Sequence, residues 1–128
     1  MNRIIFTLCL IFFSCNTDNR KEIIVLSIFD YLEKEYEYNL VDVRTPEEFE
    51  SGYIQNAKNY DFKSDFFEND ILNLDINSNI IIYCRTQNRS MKAAEFLKSK
   101  GYKNLNVIEG GITSWVKNGN TLNYNIPD

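Results

Sequence analysis

Cys84 is the residue of this sequence best suited to act as a nucleophile. It lies in the segment IIIYCRTQNRS, between an apolar run and a predicted helix, with Arg85 beside it and Arg89 further along. A thiol at a helix N-terminus lies where backbone N–H groups converge and the helix dipole is positive, and both favour the thiolate. The two arginines add positive charge. These neighbours predict a reactive cysteine rather than a structural one.

Composition limits what else the chain can do. It contains no histidine, which excludes histidine acid–base catalysis and the usual zinc sites. The loop amides and the arginines are therefore the only candidates to activate the thiol, and we expect neither a metal nor another cofactor. A formal net charge of −4 argues against nucleic-acid binding, because phosphate backbones are bound by clustered Lys and Arg.

Several other residues could be taken for functional ones, but each has a structural interpretation. Asp42 and Arg44 could form an acid/base pair, but an ion pair that holds the loops is the favoured interpretation. Glu47 and Glu48 carry charges suited to the start of a helix. Trp115 is interpreted as a core anchor for the last helix. The glycine pair before that helix is interpreted as a turn, because no GxGxxG pattern surrounds it.

Five β-rich runs must position these residues, at 23–26, 39–43, 57–60, 79–84 and 105–108. The fourth run does not alternate with polar residues, which is typical of a strand buried on both faces. Helical segments separate the runs, so we expect an α/β fold with a mostly parallel sheet flanked by helices on both faces. Sites in such sheets lie at the carboxyl ends of the strands, and Cys84 falls at one.

The helical segments are predicted at residues 27–35, from Thr45, at 64–72 and at 90–100. Thr45-Pro46-Glu47-Glu48 has the pattern of a capping box with proline at the first helical position. The helix after Cys84 has the clearest periodicity. Gly101 follows it and supplies a left-handed C-terminal cap.

The first residues of the chain differ in character from the rest. Arg3 precedes a short apolar run, and Ser14-Cys15 follows it, which resembles the signal peptide and lipobox of bacterial lipoproteins. We therefore expect a signal peptide at 1–14, a lipidated Cys15 with a polar tether at 15–21, and one domain at 22–128. The run is too short to span a bilayer. This interpretation implies a membrane-anchored protein of the bacterial cell envelope, exposed outside the cytoplasm, with Cys84 as its free thiol.

Motifs along residues 22–122 resemble those of the rhodanese-like superfamily. The similarity comprises Asp42-Val43-Arg44 with Pro46-Glu47-Glu48-Phe49, then Gly52-Tyr53-Ile54, Tyr83-Cys84-Arg85 through Arg89-Ser90, and Val107-Ile108-Glu109-Gly110-Gly111 with Trp115. Each motif alone is weak, but all of them occur in the family's order. The family fold is a mostly parallel five-stranded sheet flanked by helices, which agrees with the prediction from periodicity.

The resemblance implies a sulfurtransferase that works through a persulfide on Cys84. The donor would be thiosulfate, a polysulfide or a persulfide, and the acceptor a thiol or cyanide. The loop would bind the donor, with Arg85 meeting its anion and Arg89 bracing the loop. The expected binding residues are Arg85, Thr86, Gln87, Asn88 and Arg89, and the expected structural supports are Asp42, Arg44 and Ser90.

Two positions depart from the family pattern. Tyr53 stands where histidine is common, at a peripheral place. Gln87 stands where the active-site loop commonly has glycine, which suggests either a strained backbone at positive φ or a narrowed pocket.

Two alternatives remain open. A phosphatase or arsenate reductase would share the cysteine loop, but those enzymes have a longer loop before the arginine, and here four residues separate Cys84 from Arg89. The other alternative is a membrane-tethered module of the same fold that binds a partner without turnover.

Overall fold

The sheet has five strands, and all of its pairings are parallel. The computed structural model describes residues 22–125, so the predicted signal peptide, lipidated cysteine and tether lie outside the described residues. The strands are β1 (Ile24–Leu26), β2 (Asn39–Asp42), β3 (Lys58–Asn59), β4 (Ile80–Tyr83) and β5 (Leu105–Ile108). Their order in the sheet is β1-β5-β4-β2-β3, which confirms the predicted fold class.

Five helices connect and cover the strands: α1 (Ile28–Leu32), α2 (Pro46–Glu50), α3 (Phe67–Ile71), α4 (Asn88–Ser99) and α5 (Gly111–Lys117). The capping box at Thr45 and Glu48 is present. The first and third helices are shorter than predicted. Residues 64–66 form a turn instead, in which the Ser64 hydroxyl accepts the Phe66 N–H. None of the helices in residues 22–125 is long and apolar enough to cross a membrane.

Both faces of β4 are buried, as its unbroken apolar run predicts. Ile80, Ile82 and Cys84 pack into the core beneath α3 and α4. Ile81 and Tyr83 pack into the opposite core, which also contains Trp115 of α5. Because side chains alternate along a strand, this register places the Cys84 side chain on the α4 side of the sheet. It therefore lies beneath the helix that begins just after it.

Candidate active site

The cysteine lies at the carboxyl end of β4, directly before the loop that leads into α4. Its side chain is buried, with 1% of its surface exposed. The Ser90 N–H donates a hydrogen bond to Cys84 Sγ at 3.4 Å, and the thiol donates to Ser90 Oγ at 3.4 Å. The sulfur is thus held against the first turn of a helix, where developing negative charge is stabilised.

The loop after Cys84 has free backbone donors. Among residues 22–125, none of the N–H groups of residues 85–89 donates a hydrogen bond. The first intrahelical bond of this turn runs from the Met91 N–H to the Gln87 carbonyl, at 3.0 Å. Unpaired N–H groups at the start of a helix bind anions. The loop can therefore receive a sulfur anion or an oxyanion beside the thiol.

The start of α5 holds the carbonyl side of the same loop. Ile112 donates its N–H to the Cys84 carbonyl at 2.9 Å, and Thr113 donates its N–H to the Arg85 carbonyl at 3.1 Å. The Thr113 hydroxyl donates to the same Arg85 oxygen at 2.9 Å. The carbonyl groups of Cys84 and Arg85 are therefore engaged by α5, while the N–H groups of residues 85–89 remain free. No local pattern in the sequence indicates these contacts.

Arg89 is bound to Glu48 at the start of α2. Its two terminal nitrogens donate to the two carboxylate oxygens at 2.7 and 2.8 Å. The hydrogen bond from Arg89 lowers the pKa of Glu48 to about 2, against the opposing effect of burial and with help from the Thr45 N–H. The pKa of Arg89 is raised, chiefly by Glu48, with a smaller contribution from the nearby Cys84. The capping glutamate therefore also braces the active-site loop.

This ion pair predicts a pH-dependent contribution to stability. A carboxyl with a lowered folded-state pKa stabilises the fold above its unfolded pKa, and this contribution is lost as the pH falls through the folded value. We expect Glu48→Gln to lower the free energy of unfolding by about 1 kcal/mol at pH 7, since the pair is partly screened by solvent. The difference should disappear near pH 2. Urea titrations at several pH values measure it.

Glu47→Gln is the matched control, because Glu47 lies on the same turn and forms no ion pair in the described structure. At pH 7 the free energy of unfolding of Glu47→Gln should lie closer to that of the wild type than that of Glu48→Gln does, because no ion pair is lost. If the free energies of unfolding of Glu48→Gln and the wild type differ by the same amount at every pH, a stabilising role for the ion pair is contradicted.

Asp42 and Arg44 form a buried ion pair at the end of β2. Arg44 Nη2 lies 2.6 Å from Asp42 Oδ2 and donates to the Gly52 carbonyl at 2.7 Å. Burial is the largest single influence and acts to lower the pKa of Arg44, but the hydrogen bonds to Asp42 and the negative charges nearby, chiefly that of Asp42, together outweigh it and raise that pKa. Asp42 has 0% of its surface exposed. A carboxylate so enclosed is placed to hold the two loops together rather than to exchange protons with a substrate.

The other expected binding residues occupy different positions around the loop. Arg85, Thr86 and Asn88 are exposed, and within residues 22–125 no acid or aromatic ring contacts the Arg85 guanidinium. The hypothesis that Gln87 is strained is wrong, because its φ is −157°. Its side-chain oxygen accepts the Gly110 N–H at 3.3 Å. A glutamine here caps the neighbouring turn, which explains how the loop accommodates a side chain where glycine is common.

Ser90 is fully buried behind the thiol. Its hydroxyl donates to the Gln87 carbonyl at 3.0 Å while it accepts the thiol proton. A hydroxyl has only one proton to donate. When the thiolate forms, this hydroxyl is within reach to turn and donate to the sulfur instead.

We therefore expect Ser90→Ala to slow the reaction of Cys84 with iodoacetamide at neutral pH by about tenfold, the lower end of what a hydrogen bond to a charged group contributes. Mass spectrometry of the Cys84 peptide over time measures the rate. Ser99→Ala is the control, since that hydroxyl, on the same helix, donates only to the Phe96 carbonyl. An unchanged rate in Ser90→Ala would show that the hydroxyl does not stabilise the thiolate.

The chemistry of the site is that of a thiol with anion-binding donors. Within the described residues, no group of three or more Cys, Asp or Glu side chains could hold a metal ion. The candidate nucleophile is the Cys84 sulfur, which lies at the start of α4 beside the free N–H groups of residues 85–89, and the exposed Arg85 follows it directly in the chain. Such a site favours nucleophilic attack on an anionic substrate.

Comparison with known proteins agrees with this geometry. The chain is 34% identical over 92 residues to thiosulfate sulfurtransferase 16 of Arabidopsis thaliana, covering 64% of this chain and 77% of that protein. It is 33% identical over 78 residues to thiosulfate sulfurtransferase GlpE of Pseudomonas entomophila, covering 59% of this chain and 68% of that one.

Solved structures show the same fold. A rhodanese-related protein from Thermoplasma volcanium superposes with a TM-score of 0.72 at 29% identity, covering 80% of this chain and 99% of that chain. A rhodanese-like domain protein from Staphylococcus aureus superposes with a TM-score of 0.68 at 28% identity, covering 81% and 100%. The family model for the rhodanese-like domain matches residues 28–118. This chain therefore belongs to the rhodanese-like domain family.

Proposed function

We propose that the protein is a sulfurtransferase that moves a sulfane sulfur from thiosulfate, a polysulfide or a persulfide to a thiol or cyanide. The observation that carries the proposal is the position of Cys84 Sγ. It accepts the Ser90 N–H at the start of a helix, beside the unpaired N–H groups of residues 85–89. The relatives named as thiosulfate sulfurtransferases support the same reaction.

The proposed reaction has two steps. The Cys84 thiolate attacks the outer sulfur of the donor, so that a new S–S bond forms while the donor's own bond breaks. The donor remainder leaves with that bonding pair, as sulfite when the donor is thiosulfate. An acceptor then attacks the outer sulfur of the persulfide, and Cys84 regains its thiolate. No external oxidant or reductant is needed.

The arrangement of Arg89 argues against the phosphatase alternative. A phosphatase arginine must present its terminal nitrogens to the phosphate, whereas both of these donate to Glu48. The short loop between Cys84 and Arg89 also favours a single sulfur atom over a larger oxyanion. The non-catalytic binding module is tested by the experiment below.

Mass spectrometry after exposure to thiosulfate or polysulfide tests the proposal. The Cys84 peptide of the full chain should gain one sulfur atom, and cyanide should remove it. Cys84→Ser should abolish the gain, whereas Cys9→Ser and Cys15→Ser should each retain it on the Cys84 peptide. If Cys84 takes no sulfur from thiosulfate, polysulfide or a small persulfide, the sulfurtransferase proposal fails and the binding module is supported.

We also propose that the chain is lipid-anchored through Cys15, in the envelope of a bacterial cell. The support is the sequence pattern around Ser14-Cys15, because these residues lie outside the described structure. Full-length protein from a bacterial host should partition with membranes and carry lipid on Cys15. Cys15→Ala should lose the lipid, and recovery of the wild type without lipid would refute the anchor.

A further inference from the structure

We propose that the protein has a second binding site, a groove that takes a neutral oligosaccharide, at the end of the sheet opposite to Cys84. The groove lies at the amino-terminal ends of β2 and β4, where Asn39 begins β2 and Asn79 precedes β4. Five residues of extended strand separate Asn79 from Cys84, which corresponds to about 16 Å. The site is therefore separate from the active-site loop, and the inference goes beyond the proposed sulfur transfer.

Two neighbouring cavities form the groove. The larger has a volume of about 590 Å³, which falls within the roughly 300–1,000 Å³ typical of small-molecule pockets. The smaller has a volume of about 240 Å³, and both are lined by Tyr38, Gln55 and Asn56. Because the cavities meet at these shared residues, a ligand can extend from one into the other. An elongated ligand of several linked units therefore fits the groove better than one compact molecule.

Hydrogen bonds hold the residues around the larger cavity in place. The Asn39 N–H donates to the Asn79 carbonyl at 2.8 Å, and the Asn79 side-chain amide donates to the Glu37 carbonyl at 3.0 Å. The Asn39 side-chain amide donates to Ser78 Oγ at 3.0 Å. Within residues 22–125 the side-chain oxygens of both asparagines accept no hydrogen bond. The cavity is thus formed in advance and still offers acceptors, which limits the loss of conformational freedom on binding.

Two of the residues shared by the cavities lie in a turn and have free side-chain amides. The Ala57 N–H donates to the Ile54 carbonyl at 3.0 Å, which closes a turn with Gln55 and Asn56 at its centre. Asn56 has a φ of +67°, a left-handed conformation that asparagine tolerates better than most residues. Both side chains are exposed, and neither amide has a hydrogen-bond partner in the described part of the chain. Each amide therefore presents both donors and an acceptor to a ligand.

A tyrosine ring is exposed in the same groove. Tyr36 lines the larger cavity and has 42% of its surface exposed. Its ring meets that of Tyr38 edge to face, with centroids 6.3 Å apart, and the Tyr38 hydroxyl donates to that of Tyr31 at 3.1 Å. The C–H face of a sugar is apolar while its edge carries hydroxyl groups. A ring with an apolar face and a polar tip beside free amides matches both surfaces of such a ligand.

The charges around the larger cavity favour a neutral ligand over a phosphate or a carboxylate. None of the described residues that line it is Lys or Arg. Glu37 lines it, and its carboxylate has no ion-pair partner among residues 22–125. A carboxylate repels anions and accepts hydrogen bonds from hydroxyl groups. Lys34 lines the smaller cavity, but its ammonium group lies over the Tyr36 ring, 5.2 Å from the centroid.

The free groups of the groove also favour a saccharide over an extended peptide. Peptides that bind along a sheet pair with the backbone groups of an edge strand, whereas β2 is an inner strand between β4 and β3. The groups available here belong to side chains: two amides, a carboxylate and the tyrosine hydroxyl. Sugar hydroxyls both donate and accept hydrogen bonds, so they can satisfy such a mixed set.

The test measures binding of neutral trisaccharides of glucose, mannose, galactose and N-acetylglucosamine to the full-length protein. Saturation-transfer NMR detects the binding, and a titration gives the Kd. Glucose 6-phosphate is the charged comparison, and trialanine is the peptide comparison. Urea unfolding of each variant verifies that it is folded.

We expect at least one trisaccharide to bind at millimolar concentration or below. Tyr36→Ala should raise its Kd about tenfold, because the exposed ring is lost. Asn56→Gly should raise it about fivefold by removing one amide, and glycine adopts the positive φ without strain. Phe66→Ala and Asn69→Ala are the matched controls, since both side chains are exposed outside the groove. These two variants should bind as the wild type does.

Three results would overturn the proposal. The first is that no trisaccharide binds at millimolar concentration. The second is binding that Tyr36→Ala and Asn56→Gly leave unchanged, since the sugar would then lie elsewhere. The third is that glucose 6-phosphate or trialanine binds in the groove in place of the trisaccharides. Sulfur uptake by Cys84 should be the same in Tyr36→Ala as in the wild type, and a loss would contradict a separate site.

Discussion

Gly111→Ala is expected to destabilise the fold by about 2–5 kcal/mol and to remove most of the sulfur transfer. Gly111 has a φ of +55°, which L side chains rarely adopt. A Cβ there would lie 2.5 Å from the Thr86 carbonyl oxygen and closer still to that of Cys84. Because both neighbours are backbone atoms of the active-site loop, the clash cannot be relieved by a side-chain rotation. The loop or α5 must move.

Gly119→Ala separates the clash from the backbone strain. Gly119 also has a positive φ, +82°, but a Cβ there would meet no atom within 4 Å. Gly119→Ala should therefore lower the free energy of unfolding only by the strain of the left-handed conformation, about 1 kcal/mol. Persulfide formation should be unchanged. Urea unfolding and the sulfuration rate of Cys84 measure both variants. A Gly111→Ala protein as stable and active as Gly119→Ala would show that the loop does not depend on α5.

The strand and the helix on either side of Cys84 could be predicted, because both depend on local patterns in the sequence. The unbroken apolar run of β4 indicated a strand buried on both faces, and the helical periodicity after it indicated α4. Together they place Cys84 at a strand end before a helix. The capping box was also predictable, since its residues are neighbours in the sequence.

The contacts that hold the loop were not predictable in the same way. The sequence around Glu48 indicates a charge and a capping residue at a helix start, whereas its bond to Arg89 joins residues 41 positions apart. The hydrogen bonds from Ile112 and Thr113 to the loop carbonyls likewise depend on how α5 packs. No local spacing indicates such pairs. The expectation of strain at Gln87 failed for the related reason that a family preference for glycine does not fix φ in this chain.

The buried Asp42–Arg44 pair predicts the other large effect. Asp42→Asn keeps the shape of the side chain but leaves the Arg44 charge without a carboxylate in the interior. Breaking one partner of a buried ion pair costs about 3–5 kcal/mol, and we expect a loss in that range by urea unfolding. Asn59, at the end of β3, donates side-chain hydrogen bonds to the backbone carbonyls of Asp42 and Arg44. A shift of these carbonyls in Asp42→Asn should therefore also weaken the attachment of β3 to the sheet.

A double variant decides between the structural and the acid/base interpretations of this pair. The double variant Asp42→Asn with Arg44→Met removes both charges. Its loss in free energy of unfolding should be smaller than the sum of the losses in the two single variants, because no uncompensated charge remains. In a structural role, persulfide formation by the folded fraction of Asp42→Asn at low temperature should stay within about threefold of the wild type, since the buried carboxylate does not reach the substrate. If Asp42→Asn is instead as stable as the wild type while sulfur transfer is lost, the carboxylate takes part in the chemistry and the acid/base interpretation is correct.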